Sequence, residues 1–405
     1  MGRCLFALCV AAALAAQPLT PETILLGRTR YHMVETLRRI PNYTCLETIE
    51  RTIRQPRSKR ATLVDALRLE VAVVDGKELF SWPGERQFKE RDLRELAPGG
   101  AIGNGNFALH AKSVFGGNYV KFTFRGKEQR EGREVARFDY DVPEQFSGYQ
   151  IRVGDASAVV PYHGSVIVDA TTLDVIDLEV IADDLPPHLK LQRATDFMHY
   201  TRQRIGEADH LLPVSSEMTM VGIEGGESRN KVTFSGCRQY SGESVVRFDD
   251  PEPTAEAAPL PAPAVPRVAT ELPVELLIEA SLDETVAMDK AATGDLLSFT
   301  VRRDARRRKI TLVPKGARIR ARVGDVDRRP LRGYSMGMGI QPVEIEHEGQ
   351  IVPLKAEVVE GGSVSLRTSF YALMPATNAR PSMVYVKSTP PRMPKGLLLQ
   401  LRVIP

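Results

Sequence analysis

The sequence has little of what usually indicates a particular chemistry. Its net charge is only +3 over 405 residues, which favours neither a nucleic acid nor a strongly anionic partner for the chain as a whole. Its seven histidines stand singly, without a second candidate ligand at a metal-binding spacing. Its N-terminal apolar run is shorter than the roughly 20 residues that a bilayer span requires. We therefore expect no metal, no cofactor and no nucleic-acid partner.

Cysteine is also scarce, with four in the whole chain. Cys4 and Cys9 lie in an N-terminal segment with a charged start, an apolar run and small residues, which is the order typical of a signal peptide. We expect residues 1–16 to be this signal, with a mature protein that begins at Ala16 or Gln17. The protein is then exported, to the periplasm or outside the cell.

The two remaining cysteines are Cys45 and Cys237, and neither belongs to a Cys-x-x-Cys or Cys/His motif. Zinc binding and dithiol redox chemistry therefore have no support. In a compartment that permits disulfides, two cysteines are expected to form one bridge, here between the first and last strands of the N-terminal domain. The alternative is two separate buried thiols.

A segment rich in proline and alanine divides the chain. Residues 251–267 contain six prolines and five alanines. Such a composition has too few large apolar side chains to form a core, and it predicts a stiff, extended linker. An N-terminal domain, residues 17–250, precedes it, and a C-terminal domain, residues 268–405, follows it. Each domain is long enough to bury its own core.

The N-terminal domain is predicted to begin with a helix and continue as strands. Thr20 can cap a helix and Pro21 suits its first position, and apolar residues then recur at helical spacing. From Leu67 onward the apolar period changes to two, which predicts one long antiparallel sheet. A helical segment near residues 106–115 interrupts the strands.

This order of elements is similar to that of a known family. A leading amphipathic helix, antiparallel strands with one interrupting helical segment, and the hairpin sequence GSVIVDATTL at residues 164–173 resemble the periplasmic lipoprotein-carrier and outer-membrane lipoprotein-sorting family. The resemblance implies a half-open barrel that shields acyl chains. It covers most of the N-terminal domain.

The C-terminal domain is also patterned as strands. Its stretches LPVELLIEASLD, GDLLSFTV and VPKGARIRARV resemble the barrel core of the TrbI-like scaffold family of type IV secretion. The sequence shows no counterpart of that family's inner-membrane helix. The resemblance therefore implies only a small β-barrel and not membership of a secretion machine. The fold class expected for the chain is mainly β with some helix: a helix-backed antiparallel half-barrel joined by the Pro/Ala linker to a small β-barrel.

One motif typical of hydrolases occurs at residues 333–337, GYSMG, which match the nucleophile elbow around Ser335. The elbow requires a helix after the serine, but the residues that follow have strand character and include Pro342. His347 is too close in sequence to act from a later loop. We interpret the motif as a turn between strands.

Residues 103–108 fit a loose dinucleotide fingerprint without a βαβ unit around them, which favours a loop.

Positive charge is concentrated in residues 302–322, which contain ten Lys or Arg and one acid, Asp304. The alternation of arginine with apolar residues predicts a strand with one cationic face, beside a cationic loop. The residues concerned are Arg318, Arg320 and Arg322 on the strand and Arg306, Arg307, Arg308 and Lys309 in the loop. One interpretation is a solvated hairpin face, and the other is contact with an anionic envelope surface.

Three functions remain open at this point. The first is an exported, non-enzymatic envelope protein that binds or carries an acyl chain or a lipidated partner. The second is a structural scaffold or protein-interaction module whose half-barrel is filled by its own side chains. The third is an exported serine hydrolase that uses Ser335. The carrier predicts an open apolar groove of several hundred cubic ångströms, lined by residues 67–73, 120–124 and 136–140.

Overall fold

The computed structural model describes residues 19–74, 77–85, 88, 109–117, 119–154, 156–240, 268–328, 335–361, 371–374 and 381–405. Four sequence features lie wholly or partly outside the described residues: the predicted signal at residues 1–16, the predicted linker at residues 251–267, the fingerprint at residues 103–108, and residues 333–334 of the GYSMG motif.

Two α-helices lie in the described part of the chain, α1 (Pro21–Arg39) and α2 (Leu109–Gly116). The side chain of Thr20 caps α1 by accepting a hydrogen bond from a backbone N–H of the first turn. Leu25 and Met33 are buried and lie two turns apart, so α1 presents one face to the protein. The helix therefore begins as its cap predicts.

The first sheet is built by residues 43–239. Its ten strands are β1 (Tyr43–Arg54), β2 (Thr62–Val74), β3 (Lys77–Ser81), β4 (Lys121–Arg130), β5 (Arg133–Val142), β8 (Tyr162–Asp169), β9 (Val175–Ala182), β10 (Leu191–Ile205), β11 (Ala208–Gly222) and β12 (Glu227–Gln239). The hairpin of β6 (Gln150–Val153) and β7 (Ala156–Val159) lies beside it, with short 3₁₀ turns at Glu144–Phe146 and Pro187–Leu189.

The first sheet is a curled antiparallel half-barrel, as the fold class predicts. Its strand order is β3-β2-β1-β12-β11-β10-β9-β8-β5-β4. Most neighbours follow one another in the chain, and the pairing of β1 with β12 brings the N-terminal hairpin to the other side of the meander. In the described residues β3 and β4 are the two edges of the sheet and do not pair with each other.

The second sheet is built by residues 277–403. Its nine strands are β13 (Leu277–Leu282), β15 (Leu296–Val301), β18 (Arg318–Asp327), β19 (Met336–His347), β20 (Gln350–Pro353), β21 (Ala356–Gly361), β22 (Tyr371–Met374), β23 (Met383–Val386) and β25 (Leu398–Val403). Two short pairs form separate two-stranded sheets: β14 (Val286–Ala287) with β24 (Arg392–Met393), and β16 (Ala305–Arg307) with β17 (Ile310–Val313).

The second sheet curls around its own core. Its order is β21-β25-β13-β15-β18-β19-β23-β22, with β20 added to β19, and the end strands β21 and β22 lie in contact. The strand β19 contains Pro342. Proline is tolerated there because the pairing with β18 shifts register opposite it. The sequence pattern also predicts a strand at residues 364–366, which lie outside the described residues.

Candidate functional site

The concave face of the first sheet is the site that the carrier hypothesis requires, and it is filled. Alternate residues of β2 from Leu67 to Val73 are buried, as are Ala136, Phe138 and Tyr140 of β5. Of the residues in the three predicted segments, only Arg137 lines one of the cavities described below, and its side chain lies on the opposite face of β5 from Ala136 and Phe138. The predicted open groove is therefore wrong for the described residues.

Side chains from several elements fill this face. Leu25 and Met33 of α1, with Val114 and Phe115 of α2, belong to one apolar cluster with the inner residues of β5, β8, β9 and β10. The β6–β7 hairpin adds Ile151, which is fully buried. The sequence analysis predicts no hairpin that covers this face, and this additional cover explains why the groove expectation fails.

A buried polar cluster lies inside this core, between α2 and β10. His110 Nε2 lies 3.5 Å from Asp196 Oδ2, and the two residues are 5% and 2% exposed. Asp196 Oδ1 has no hydrogen-bond partner among the described residues. Burial, together with the charge of Asp196, raises the pKa of Tyr149 and Tyr200 far above the ordinary range. Both phenols therefore keep their protons. The contact between His110 and Asp196 connects α2 to β10 of the sheet.

A polar cleft of about 540 Å³ lies beside the turn between β8 and β9 in the first sheet. Its lining includes Arg130, Arg133, Asp169, Asp174, His199 and Arg202. Arg202 donates two hydrogen bonds to Asp174, at 2.7 and 2.8 Å, and His32 of α1 lies 2.9 Å from the same carboxylate. Burial opposes ionisation of Asp174, but these hydrogen bonds outweigh it and lower its pKa. The cluster thus clamps α1 to the sheet.

Two further cavities have charged linings. One of about 310 Å³ includes Arg130, Asp177 and Glu179, and another of about 540 Å³ includes Arg54, Glu227 and other charged residues of β1, β11 and β12. Several of these charges are paired across each cavity, such as Arg54 with Glu227 at 2.9 Å. Neither lining is the apolar surface that would hold an acyl chain.

The disulfide predicted from the cysteine count is present. Cys45 and Cys237 are bonded, with Cα atoms 4.1 Å apart and a sequence separation of 192. Their strands, β1 and β12, are first and last in the sheet's sequence order but direct neighbours in space. The bond therefore closes the pairing that joins the two halves of the half-barrel.

The two sheets meet at the edge of β2. Strand β3 ends at Ser81 opposite Glu70, so it leaves the earlier part of β2 uncovered. Thr293 pairs there through backbone hydrogen bonds of 2.8 Å with Arg68 and with Ala66. The Arg68 side chain also reaches Asp295 at 2.6 Å. A single backbone bridge thus connects the edge of the first sheet to the segment between β14 and β15.

Trp82, the single tryptophan of the protein, lies at this junction. The guanidinium of Arg322 lies 5.3 Å from its ring centroid, and Nη2 of that arginine lies 3.3 Å from Glu85. Gly294 has φ +104, and a Cβ there would lie 2.3 Å from Arg68 O and 2.7 Å from the Trp82 ring. The close approach of the sheets therefore requires glycine at this position.

We expect Gly294→Ala to separate the sheets. The clash adds to the cost of a positive φ, about 1–3 kcal/mol, so Trp82 emission should move to longer wavelength. After proteolysis within residues 251–267, the two fragments should stay associated in the wild type and separate in the variant.

Gly349→Ala is the control, because Gly349 has φ +77 but open space around it. First cleavage outside 251–267 would contradict the two-domain division, and equal behaviour of both variants would contradict the junction.

The cationic strand face is only partly as expected. Arg318, Arg320 and Arg322 do share one face of β18. However, Arg322 is 9% exposed and lies in the sheet junction. Arg320 pairs with Glu344 at 3.1 Å. Burial of Arg322 excludes it from contact with an anionic surface, whereas the contact of Arg320 stays a prediction. The groups that contact these two arginines are distant in sequence, so the local pattern could not predict them.

The loop part of the basic segment is exposed. Arg306, Arg307, Arg308 and Lys309 lie in the β16–β17 hairpin. Arg306 pairs with Asp304 at 2.7 Å. The other three lie at the tip and form no ion pair with any described residue.

Ser335 does not have the surroundings of a nucleophile. Its hydroxyl donates to the carbonyl oxygen of Ser388 at 3.1 Å. Strand β19 follows it directly, where the elbow requires a helix. His347 ends the same strand and is not a hydrogen-bond partner of Ser335. The strand predicted after the serine is therefore present, whereas the turn predicted at residues 333–334 lies outside the described residues.

The described residues offer no arrangement of three or more His, Cys, Asp or Glu side chains that could hold a metal ion. Neither helix in the described part of the chain is long and apolar enough to cross a membrane.

No protein-family model and no curated protein matches the chain. Similar solved structures include a DUF1329 family protein from Desulfovibrio piger, at 12% identity and TM-score 0.31, covering 57% of this chain and 98% of that one. A putative outer membrane lipoprotein-sorting protein domain from Vibrio parahaemolyticus is 12% identical, with coverages of 54% and 95% and TM-score 0.31. A LolA superfamily protein from Nitrosomonas europaea is 11% identical, with coverages of 53% and 94% and TM-score 0.27.

Two of these three proteins bear names of the family that the N-terminal pattern resembles. None of the three is a TrbI-like protein, so that resemblance of the C-terminal residues stays a prediction. These TM-scores are too low to carry an argument about function. The proposal below therefore rests on the geometry of the chain itself.

Proposed function

We propose that this protein is an exported, non-enzymatic envelope protein that acts as a structural scaffold or protein-interaction module. The observation that carries the proposal is the filled concave face of the first sheet, where Phe138, Leu178 and Met198 are fully buried among helix and hairpin residues. A filled half-barrel is a packed core, not a binding groove. Export is supported by the signal-like N-terminal segment and by the disulfide.

The junction between the sheets also supports a scaffold. Backbone pairing of Thr293 with β2, the Arg68–Asp295 ion pair and the contact of Arg322 with Trp82 hold the two sheets in one arrangement. A module that presents surfaces to partners benefits from such a fixed arrangement, because less conformational freedom is lost on binding.

A carrier of an acyl chain or lipidated partner is the second candidate. One observation favours it: of its 19 residues, α1 buries only Leu25, Thr29 and Met33, and its outer face carries exposed Ile24 and Tyr31. Displacement of α1 would uncover part of the apolar core. The carrier therefore requires α1 to move, whereas the scaffold requires it to stay.

The substitution Phe138→Ala distinguishes the two functions. If the face is core, the lost packing should lower the free energy of unfolding by about 4 kcal/mol, measured by urea titration. Mass spectrometry of the mature protein purified from the envelope should find no stoichiometric lipid in the wild type or in the variant.

Phe299→Ala, in the core of the second sheet, is the matched control and should lose a similar free energy. If the wild type carries lipid, and Phe138→Ala changes the amount while Phe299→Ala does not, the carrier replaces the scaffold.

A further inference from the structure

The β16–β17 hairpin has a buried base and an exposed tip. Ala305 and Val313 lie in the apolar core of the second sheet, and Leu312 accepts a backbone hydrogen bond from Ala269 at 2.9 Å. The turn residue Arg308 has φ +58, and the two strands pair only with each other in a separate two-stranded sheet. The fold therefore holds the tip out from the barrel on a fixed base.

The hairpin and its flanks carry unpaired positive charge. Asp304, the only acid of residues 302–322, pairs with Arg306 and accepts a hydrogen bond from the backbone N–H of Lys315 at 2.8 Å. Arg303 pairs with Glu279. Six exposed cations have no carboxylate within ion-pair distance among the described residues: Arg302, Arg307, Arg308, Lys309, Lys315 and Arg318. Several of these charges are close together and free to meet an anionic partner.

An apolar side chain lies within this positive charge. Ile310, next to the turn, is 67% exposed. A single exposed isoleucine is ordinary, but an apolar residue among unpaired cations matches a lipid interface, where cations meet headgroups and the apolar side chain reaches below them. Residues 302–318 contain no aromatic residue for stacking on bases, which disfavours single-stranded nucleic acid.

We propose that the tip of the β16–β17 hairpin docks the protein on an anionic lipid surface, with Arg307, Arg308 and Lys309 at the headgroups and Ile310 in the interface. This contact is separate from the concave face, so it holds whether that face is filled or opens. It also gives the scaffold an attachment that needs neither a spanning helix nor a lipid anchor.

The test uses the full mature protein and co-sedimentation with phosphatidylcholine vesicles, with and without phosphatidylglycerol. Wild type should bind only the anionic vesicles, and binding should weaken as salt is added. Removing three charges in Arg307→Gln/Arg308→Gln/Lys309→Gln should weaken binding about a hundredfold. Ile310→Ser should weaken it about tenfold and should leave the salt dependence unchanged.

The control is Arg57→Gln/Lys59→Gln/Arg60→Gln, which removes three exposed cations, one of them likewise at positive φ, from the β1–β2 turn. It should bind as the wild type does. Equal loss in both triple variants would overturn the inference, because net charge alone would then explain binding. Absence of wild-type binding would also overturn it and would favour an acidic protein partner. Binding to added vesicles tests the docking of the hairpin tip, whereas co-purified lipid tests whether the concave face carries a lipid. Either proposal can therefore be contradicted without the other.

Discussion

Replacing both cysteines, Cys45→Ser with Cys237→Ser, is expected to lower the free energy of unfolding by about 5 kcal/mol. The bond closes a loop of 192 residues, and a cross-link over a long loop restricts the unfolded chain most. It also lies between β1 and β12, which pair although they are far apart in sequence. Urea unfolding of the oxidised wild type and of the double variant gives the difference.

Reduction supplies the control for this prediction. Reduced wild type should unfold at the urea concentration of the double variant, and the reductant should have no effect on that variant. A difference below about 1 kcal/mol between oxidised wild type and variant would contradict the role assigned to the bond, since removal of native disulfides typically costs more.

Glu47→Gln is expected to change how stability depends on pH. Glu47 is 2% exposed, and its Oε2 has no hydrogen-bond partner among the described residues. Burial, with a smaller contribution from the charge of Glu78, raises the pKa of Glu47 from 4.5 to about 8. Between these values the folded protein holds a proton that the unfolded chain has released. The contribution of Glu47 to the free energy of unfolding is therefore highest below the lower pKa. It falls as pH rises through the two values, by about 5 kcal/mol in total.

The variant removes this dependence, because glutamine does not titrate. Above the raised pKa, Glu47→Gln should be more stable than the wild type by up to about 5 kcal/mol, and below the lower pKa the two should be similar. Urea unfolding at a series of pH values measures both curves. Glu50→Gln, exposed on the same strand, is the control and should follow the wild type. Parallel curves for the wild type and Glu47→Gln would show that the carboxyl is not buried in a protonated form.

Much of the local structure was predictable because it depends on short stretches of chain. The cap at Thr20 placed the start of α1, and the period-two pattern of residues 67–73 placed β2. The scarcity of cysteine left one possible pairing after signal removal, and the structure contains it. The surroundings of Ser335 were also predictable, since a strand pattern follows it directly.

The candidate sites were less predictable. The sequence predicts that Arg318, Arg320 and Arg322 share a face. However, Arg320 contacts Glu344 of β19 and Arg322 contacts Trp82, which follows β3, and both partners are distant in sequence. The buried pair of His110 and Asp196 joins residues 86 positions apart, and no periodic pattern announces it. The exposed Ile310 was within the basic segment, yet its exposure depends on the hairpin that carries it.

The sequence by itself determined the alternation of strands, the opening helix, the cysteine pairing and the concentration of charge, because each follows from composition or from neighbours a few residues apart. Only the tertiary structure decided that the half-barrel is filled and that Thr293 continues the edge of β2. Both depend on which distant side chains and backbone groups meet when sheets curl. Since a filled face and an open groove place the same apolar residues on the same strands, their local patterns are identical, and packing alone separates a scaffold from a carrier.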